Sequence, residues 1–521
     1  MGGKRQGDAR FPVATNQYQG WKGVAGGTVD ILTNVEDMQP ERFWERFVAP
    51  RRPVLIKAHL NDEDWKASSL WTDEYLINSA GDAQLLVEER GENQSFGQGR
   101  KTRQSFAQVV RQASSGDESH YLTTQEVGIR DNGLPELYTS PVAGLVNDVP
   151  LRPKLLGNLI PHQLNIWMGA SRDGSSTGLH MDHHDNLYVL LRGRKRFRLY
   201  SPAHALQMHT HGVVAGVHPN GRVVFKSQPA TRADGAEEDR VRVWKIQREA
   251  EAEVARAEAA VARGDLGAAQ QLGDAETRLE EALEEALLYE ASMEDLDDYD
   301  DSDMDDDDAN KSIQRSENRH STDSEHVDNS HYNPDNFSRV DLTLSETAIS
   351  KRFPDFPGKE AAMICDISEG EMLYLPAGWF HEVTSFSSKS SRGHMAFNYW
   401  MHPPDVLDPK KGFASPYRCS YWSCMWEDGG YESIQKKLPS SQGAAIPNSA
   451  TYPDNTPTVE DGARHSTKRQ RRKTPRHRAR ANHRRNFLLE NVYKPRAHGN
   501  FPRLSFMTRV SIPGLLLLDS Q

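Results

Sequence analysis

Thr177-Gly-Leu-His-Met-Asp-His-His-Asp-Asn-Leu-Tyr188 and, far downstream, Gly370-Glu-Met-Leu-Tyr-Leu-Pro-Ala-Gly-Trp-Phe-His381 are the stretches on which the reading of this chain turns. Side chains two apart on an extended strand share a face, so His180 and Asp182 point the same way. His381 follows a Pro-Ala-Gly turn that delivers it to the start of another strand. Two imidazoles and one carboxylate make a facial ligand set for an octahedral ferrous ion, and they leave three positions open for reactants. A lone His-x-Asp is common by chance on strand surfaces, so its companions carry the argument. Thr177 lies three residues before His180. Lys195 lies thirteen residues after Asp182, where a hairpin about Gly193 would carry a cation into the same barrel.

Outward from these stretches the chain reads as strands. Leu164–Met168, Leu179–Asp182, Asn186–Leu191 and Arg196–Tyr200 lie on one side of a gap, with shorter strands over Val213–Lys226. Strand patterns resume near Phe337–Asp341 and continue through Met363–Asp366, Glu371–Leu375, His381–Phe386 and His394–Trp400. Upstream, Gln39–Val48 and Trp71–Leu76 have helical spacing, while Arg52–Lys57 and His120–Gln125 read as strands. Between the two blocks, Glu237 to Glu290 is rich in Ala, Glu and Arg. It reads as one long helix or as a pair broken near Gly264-Asp-Leu-Gly267. The economical architecture is one mainly β domain interrupted by an insertion, whose two ends lie together at a surface loop.

Composition sets the remaining bounds. The 521 residues suffice for a large core, but only 36% are hydrophobic, so long solvated segments are expected. The net charge of −11 averages two opposed blocks. Glu294–Asp308 holds eleven acidic residues and no basic one, and Arg464–Arg485 holds eleven Lys or Arg and no acid. Such blocks mark solvated tails or insertions. Within the second, Lys468-Arg-Gln-Arg-Arg-Lys473 suits a nuclear address or non-specific phosphate contact as well as a plain solvated tail, and no aromatic residue there offers base stacking. Cys365, Cys419 and Cys424 are too few for a disulfide framework or a Cys-rich zinc module, which favours a reducing compartment. There is no secretory signal and no apolar run of about 18 residues, so the nucleus or cytoplasm is expected and membrane spans are not. The expected divisions are a disordered N-terminus (1–27), the first part of the core (28–235) and a helical then acidic insertion (236–332). The second part of the core (333–405), a packing segment (406–437) and a disordered basic tail (438–521) follow.

The quoted stretches, with Asn165-Ile-Trp-Met-Gly169, Gly193-Arg-Lys-Arg-Phe197 and Phe397-Asn-Tyr-Trp400, resemble a JmjC domain of the cupin-like Fe(II)/2-oxoglutarate oxygenase superfamily. The resemblance covers residues 29–228 and 333–405, and it is nearest the small JmjC lysyl-hydroxylase group. It implies a double-stranded β-helix (jelly-roll) core with flanking helices. It implies iron on His180, Asp182 and His381, and 2-oxoglutarate held at its distal carboxylate by Lys195, with hydroxyl donors from Thr177 and Tyr121. Asn165, Asn186 and Asn398 would line the pocket or stand as satisfied core amides. His183, His184 and His394 read as structural or substrate-facing, and Asp185 as a cap or salt-bridge partner. The implied reaction oxidises a side chain of a protein (Lys, Asn, His or Arg) with release of succinate and carbon dioxide. Demethylation of a histone lysine, hydroxylation of a base in transfer RNA, and a non-enzymatic scaffold are the alternatives.

Overall fold

Stretches rich in Val, Leu, Ile and aromatic residues become strands here because a pleated, half-buried surface suits branched and ring side chains. The computed structural model describes residues 14–33, 39–90, 101–128, 130, 134–297, 334–388 and 393–431. The strands are β1 (Thr15–Asn16), β2 (Asp30–Leu32), β3 (Val54–Ile56), β4 (Gln84–Glu89), β5 (Lys101–Ser105), β6 (His120–Leu122), β7 (Pro161–Gly169), β8 (Ser175–Ser176) and β9 (His180–Met181). They continue as β10 (Asp185–Arg192), β11 (Arg194–Tyr200), β12 (Val214–Val217), β13 (Val223–Phe225), β14 (Met363–Ser368), β15 (Met372–Leu375), β16 (Phe380–Phe386) and β17 (His394–Met401). Nine of them form one sheet in the order β2-β3-β15-β10-β17-β7-β6-β4-β5. A second sheet runs β14-β11-β16-β8, and β9 joins it through β16. Leu190, Leu373 and Ala396 of the large sheet meet Phe197, Leu199, Ile367 and Val383 of the small one in a shared core. This is a cupin-like β barrel, the double-stranded β-helix that the motifs imply.

The opposite face of the large sheet is covered by helices. Leu187, Val189, Phe397 and Tyr399 pack there against Phe43, Trp44, Trp71 and Val109. Burial on both faces explains why β10 reads as a nearly unbroken apolar run. The covering helices are α1 (Pro40–Phe43, extended by a π-helical turn to Val48), α2 (Ala67–Leu70), α3 (Asp73–Ala80) and α4 (Phe106–Ser115). The Thr72 hydroxyl accepts from the Tyr75 N–H at the start of α3, and Ser105 with Gln108 closes a capping box on α4.

Three expectations need correction. First, β10 and β11 are not a hairpin. Gly193 (φ 86) turns the chain from the large sheet into the small one, where β11 lies between β14 and β16. A Cβ at Gly193 would sit 2.5 Å from the Phe386 carbonyl oxygen, so glycine alone makes this turn. Lys195 still enters the barrel, carried by the facing sheet. Second, residues 14–27, assigned above to a mobile N-terminus, are docked. β1 pairs with β12 beside β13, and Trp21 stacks on Trp379 at 5.9 Å. Their polar, Gly-rich surroundings hid two aromatic anchors, Tyr18 and Trp21. Third, Phe337–Asp341 is not a strand. It makes isolated bridges, Phe337 to His180 and Ser338 to Thr210, before a short helix α7 (Glu346–Arg352) that the sequence did not announce.

The insertion begins as two helices, α5 (Glu238–Arg263) and α6 (Ala268–Asp297), separated by the left-handed Gly264 and Gly267. Their shared face is thin: Ala250, Leu279, Ala282 and Leu283. The foot of α5 is better held, with Val241 and Trp244 packed on Tyr421 and Trp422 of α8 (Tyr421–Gly429). Entry and exit lie side by side: the Ser227 hydroxyl bonds the Asp335 carboxylate, and the Gly212 N–H donates to the Asp335 carbonyl at 3.0 Å. Most of the acidic run, from residue 298 on, and the basic tail lie outside the described residues. No helix among the described residues is long and apolar enough to cross a membrane.

Candidate metal centre

β9 and β16 pair so that His180 stands opposite His381, and the residue after β9 is Asp182. Their candidate ligand atoms lie within 4.8 Å of one another, with His381 Nε2 3.7 Å from Asp182 Oδ2. The Pro376–His381 turn approaches because Gly378 (φ 76) has no side chain: a Cβ there would fall 1.8 Å from the Gly221 carbonyl oxygen. The Gly378 N–H also donates to the Asp182 carbonyl at 2.9 Å, tying the two motifs together.

The imidazoles are oriented by backbone. His180 Nδ1 lies 3.0 Å from the Gly178 carbonyl oxygen, and His381 Nδ1 lies 2.9 Å from that of Trp379. A carbonyl only accepts, so each Nδ1 carries a proton, and in the neutral ring that leaves Nε2 a lone pair for a metal. Burial, then the neighbouring His381, pushes the His180 imidazole down to about 3. Burial also raises the Asp182 carboxyl, while His381 and the nearby Trp400 pull it back. A neutral His180 beside a carboxylate that burial disfavours as an anion suits a divalent cation, which restores the missing positive charge. The set fits iron(II) by donor type.

Along β16 and β11, Ser385 stands opposite Lys195, four residues of register from the His381–Leu199 pair. Lys195 is 0% exposed, donates to Ser385 Oγ at 2.6 Å and lies 3.3 Å from His394 Nδ1. Its ammonium also lies 5.4 Å over the Tyr121 ring. No carboxylate among the described residues pairs with it, and burial pushes it down to about 7. A buried ammonium without an anion is a cradle for one, so the distal carboxylate of 2-oxoglutarate fits here.

The remaining sequence candidates divide. Tyr121 and Lys195 share this end of the barrel, and His394 joins them, a closer role than the structural or substrate-facing one expected of it. Thr177 lies at the β16 edge: its hydroxyl donates to the Gly178 carbonyl at 3.1 Å and accepts the Val383 N–H at 3.2 Å. Trp167 Nε1, Asn398 and Asn186 form a relay, with Trp167 donating to Asn398 Oδ1 (2.9 Å) and Asn398 Nδ2 to Asn186 Oδ1 (2.9 Å). Asn165 accepts from Thr124 at 2.9 Å, and its Nδ2 has no partner among the described residues. Asp185 is a salt-bridge partner, of Arg51. His183 packs edge-on to Phe225, and His184 joins His162 and His402 in a second histidine group beside Trp400.

Sequence reasoning missed Phe337, whose ring stacks on His180 at 4.8 Å and 10° from the returning end of the insertion. It missed Ser385 too, although the period-two alternation His381, Val383, Ser385 puts that hydroxyl on the ligand face.

The family described as Cupin-like domain matches residues 40–406. The chain is 33% identical to the JmjC domain-containing protein 4 of Schizosaccharomyces pombe over 77% of this chain and 89% of that protein. It is 25% identical to the bifunctional peptidase and (3S)-lysyl hydroxylase JMJD7 of Homo sapiens, over 32% of this chain and 52% of that one. It is likewise 25% identical to the lysine-specific demethylase JMJ32 of Arabidopsis thaliana, over 35% of this chain and 54% of that one.

Proposed function

Because the chain belongs to the cupin-like JmjC family, we propose that it is an Fe(II)- and 2-oxoglutarate-dependent oxygenase that hydroxylates a side chain of a protein substrate. The observation that carries this is the joint presence, in one barrel, of the His180–Asp182–His381 ligand set and the anion-free Lys195. Names of partial relatives, a lysyl hydroxylase and a lysine-specific demethylase, support the kind of chemistry. Iron would be held by His180 Nε2, His381 Nε2 and the Asp182 carboxylate. 2-Oxoglutarate would be held at its distal end by Lys195, with Tyr121 beside it. Bound there, metal and cosubstrate supply the oxidising power: 2-oxoglutarate and O2 become succinate and CO2, and one oxygen atom goes to a substrate C–H bond.

The protein's own groups orient and shield. The Gly178 and Trp379 carbonyls fix both imidazole tautomers. Ser385 and His394 hold the Lys195 ammonium in line. Phe337 covers the outer face of His180 and limits water at the ligand. Purified full-length protein given Fe(II) and 2-oxoglutarate should form succinate, and His180→Ala should bring that to background while also lowering Mn(II) binding. A folded wild type that neither binds metal nor forms succinate would leave a non-enzymatic scaffold. Mass spectrometry of candidate proteins then separates hydroxylation (a gain of one oxygen) from demethylation (a loss of one methylene).

A further inference from the structure

Three adjacent strands of the large sheet carry a histidine at one edge: His184 just before β10, His402 just after β17 and His162 at the start of β7. Their ring nitrogens all fall within 4.8 Å of one another. His162 and His184 stack at 4.0 Å, His184 lies on Trp400 at 5.6 Å, and His402 stacks on Trp422 at 3.4 Å. His184 is two residues from Asp182, so this group lies next to the His180, Asp182 and His381 cluster.

Arg222 borders the group beside Gly235: the point a Cβ there would occupy lies 3.6 Å from Arg222 Nε and 4.0 Å from His402 Nδ1. Arg222 is 7% exposed, and its Nε and Nη1 bond to nothing among the described residues. Burial lowers His162 and His402, and the Arg222 charge lowers both further. Burial also lowers Arg222, to about 10, which leaves it a cation at neutral pH. Asp234, whose charge offsets part of that lowering, is also 3.6 Å from Arg232 and accepts from the Ala236 N–H (3.1 Å). Its Oδ2, like the two Arg222 nitrogens, bonds to nothing among the described residues.

A buried guanidinium with free donors is costly unless something fills it. Its planar fork matches a carboxylate, and the imidazoles of His162 and His402 alongside offer N–H donors to the same anion. The same charge disfavours a divalent metal on the three histidines. A nucleic acid would need a track of cations, whereas Arg222 is the one Lys or Arg among the described residues whose charge bears on His162 and His402. We propose that Arg222, with His162, His184 and His402, forms a subsite for a carboxylate of the polypeptide substrate, an Asp or Glu side chain near the residue that is oxidised. The proposal rests on the reading of the site as a protein oxygenase.

The test uses the full-length protein loaded with Mn(II) and N-oxalylglycine, an unreactive analogue of 2-oxoglutarate, immobilised and exposed to random dodecapeptides and, separately, to random single-stranded RNA. Sequencing of the retained peptides should show Asp and Glu enriched about tenfold, the factor one charge-assisted hydrogen bond supplies. Arg222→Gln should erase the enrichment, and Arg222→Lys should keep part of it. Absence of enrichment, enrichment that survives Arg222→Gln, or retention of RNA in place of acidic peptides would overturn the subsite. Melting temperatures separate the bland explanation: Arg222→Gln and Arg222→Met should melt no lower than the wild type, and a large fall in both would make Arg222 structural and sink the proposal. Succinate formation by the same wild-type preparation tests the oxygenase reading alone. Acid-selective binding without succinate sinks that reading and spares the subsite's anion chemistry; succinate without acid selectivity does the reverse.

Discussion

Arg51 and Arg222 flank the same turn, Pro376–His381, and both are buried, yet their donors fare differently. Arg51 sits at 0% exposure in a left-handed conformation (φ 58) that a side chain tolerates only when its surroundings insist. Its guanidinium forks onto Asp185, with Nη1 to Oδ2 at 2.7 Å and Nη2 to Oδ1, while Nε donates to the Asn220 carbonyl at 2.9 Å. Asp185 is completed by the Tyr374 hydroxyl (2.6 Å) and the Ala377 N–H (3.0 Å). Arg222 has two donors that bond to nothing among the described residues. The difference separates architecture from function. A satisfied buried ion holds the turn that presents His381; an unsatisfied one awaits something the polypeptide does not supply. Lys195, buried with no carboxylate, belongs with Arg222.

The comparison breaks most easily at Arg51. Arg51→Gln strands the Asp185 carboxylate in the core and should cost about 3–5 kcal/mol, as removal of one partner of a buried pair does. Urea denaturation followed by circular dichroism measures it, and a loss below about 1 kcal/mol would mean the pair is not structural. Lys195→Met should behave oppositely. Folding stability should hold, while 2-oxoglutarate binding to the Mn(II) form weakens by about 2–5 kcal/mol in calorimetry. Equal damage to both quantities would move Lys195 into Arg51's class.

Proton linkage sharpens the same contrast. Burial lowers Lys195 to about 7 in the fold, against the ordinary lysine value of 10.5. Between those values the unfolded chain binds more protons, so this lysine's contribution to stability rises with pH across that window. Cosubstrate affinity runs the other way, because only the ammonium pairs with a carboxylate. The dissociation constant of 2-oxoglutarate should climb above pH 7 by up to about tenfold per unit. Lys195→Arg should flatten that rise, and a slope left intact in that variant would assign it to another group.

The barrel and the meeting of His180, Asp182 and His381 were legible because both obey short-range rules. Period-two alternation gave the strands, and a turn of Pro, Ala and Gly announced His381. Topology was less so. The bend at Gly193 looked like a hairpin because sequence cannot tell a turn within a sheet from a step between sheets. Phe337 and Arg222 were invisible for another reason. Each reaches the site from a segment remote in sequence, one at the far end of the insertion and one in the turn just before β13, and no local pattern marks a residue whose role lies in a long-range contact. Arg51 was hidden in the same way, in the turn three residues past the helical end at Val48, where no periodic pattern reaches.

The smallest expected effect is the most discriminating. If a water ties Arg222 to the unpartnered Oδ2 of Asp234, the two form a concealed version of the Arg51–Asp185 pair. Arg222→Gln would then strand a carboxylate, and Asp234→Asn would strand a guanidinium. The double variant would recover most of the loss, because residues in one network do not add. Absence of any hydrogen bond between them argues otherwise. Arg222→Gln should change stability by no more than about 1 kcal/mol, toward greater stability, since it removes a buried charge that the fold does not use. Coupling in the Arg222→Gln, Asp234→Asn cycle should stay within about 0.5 kcal/mol, the additivity of independent sites. The matching Arg51→Gln, Asp185→Asn cycle should couple strongly, because the neutral double variant no longer buries a lone charge. Strong coupling in both cycles would erase the distinction and make Arg222 a second structural ion; strong coupling at Arg51 alone would leave Arg222 as a cation held in readiness for a ligand.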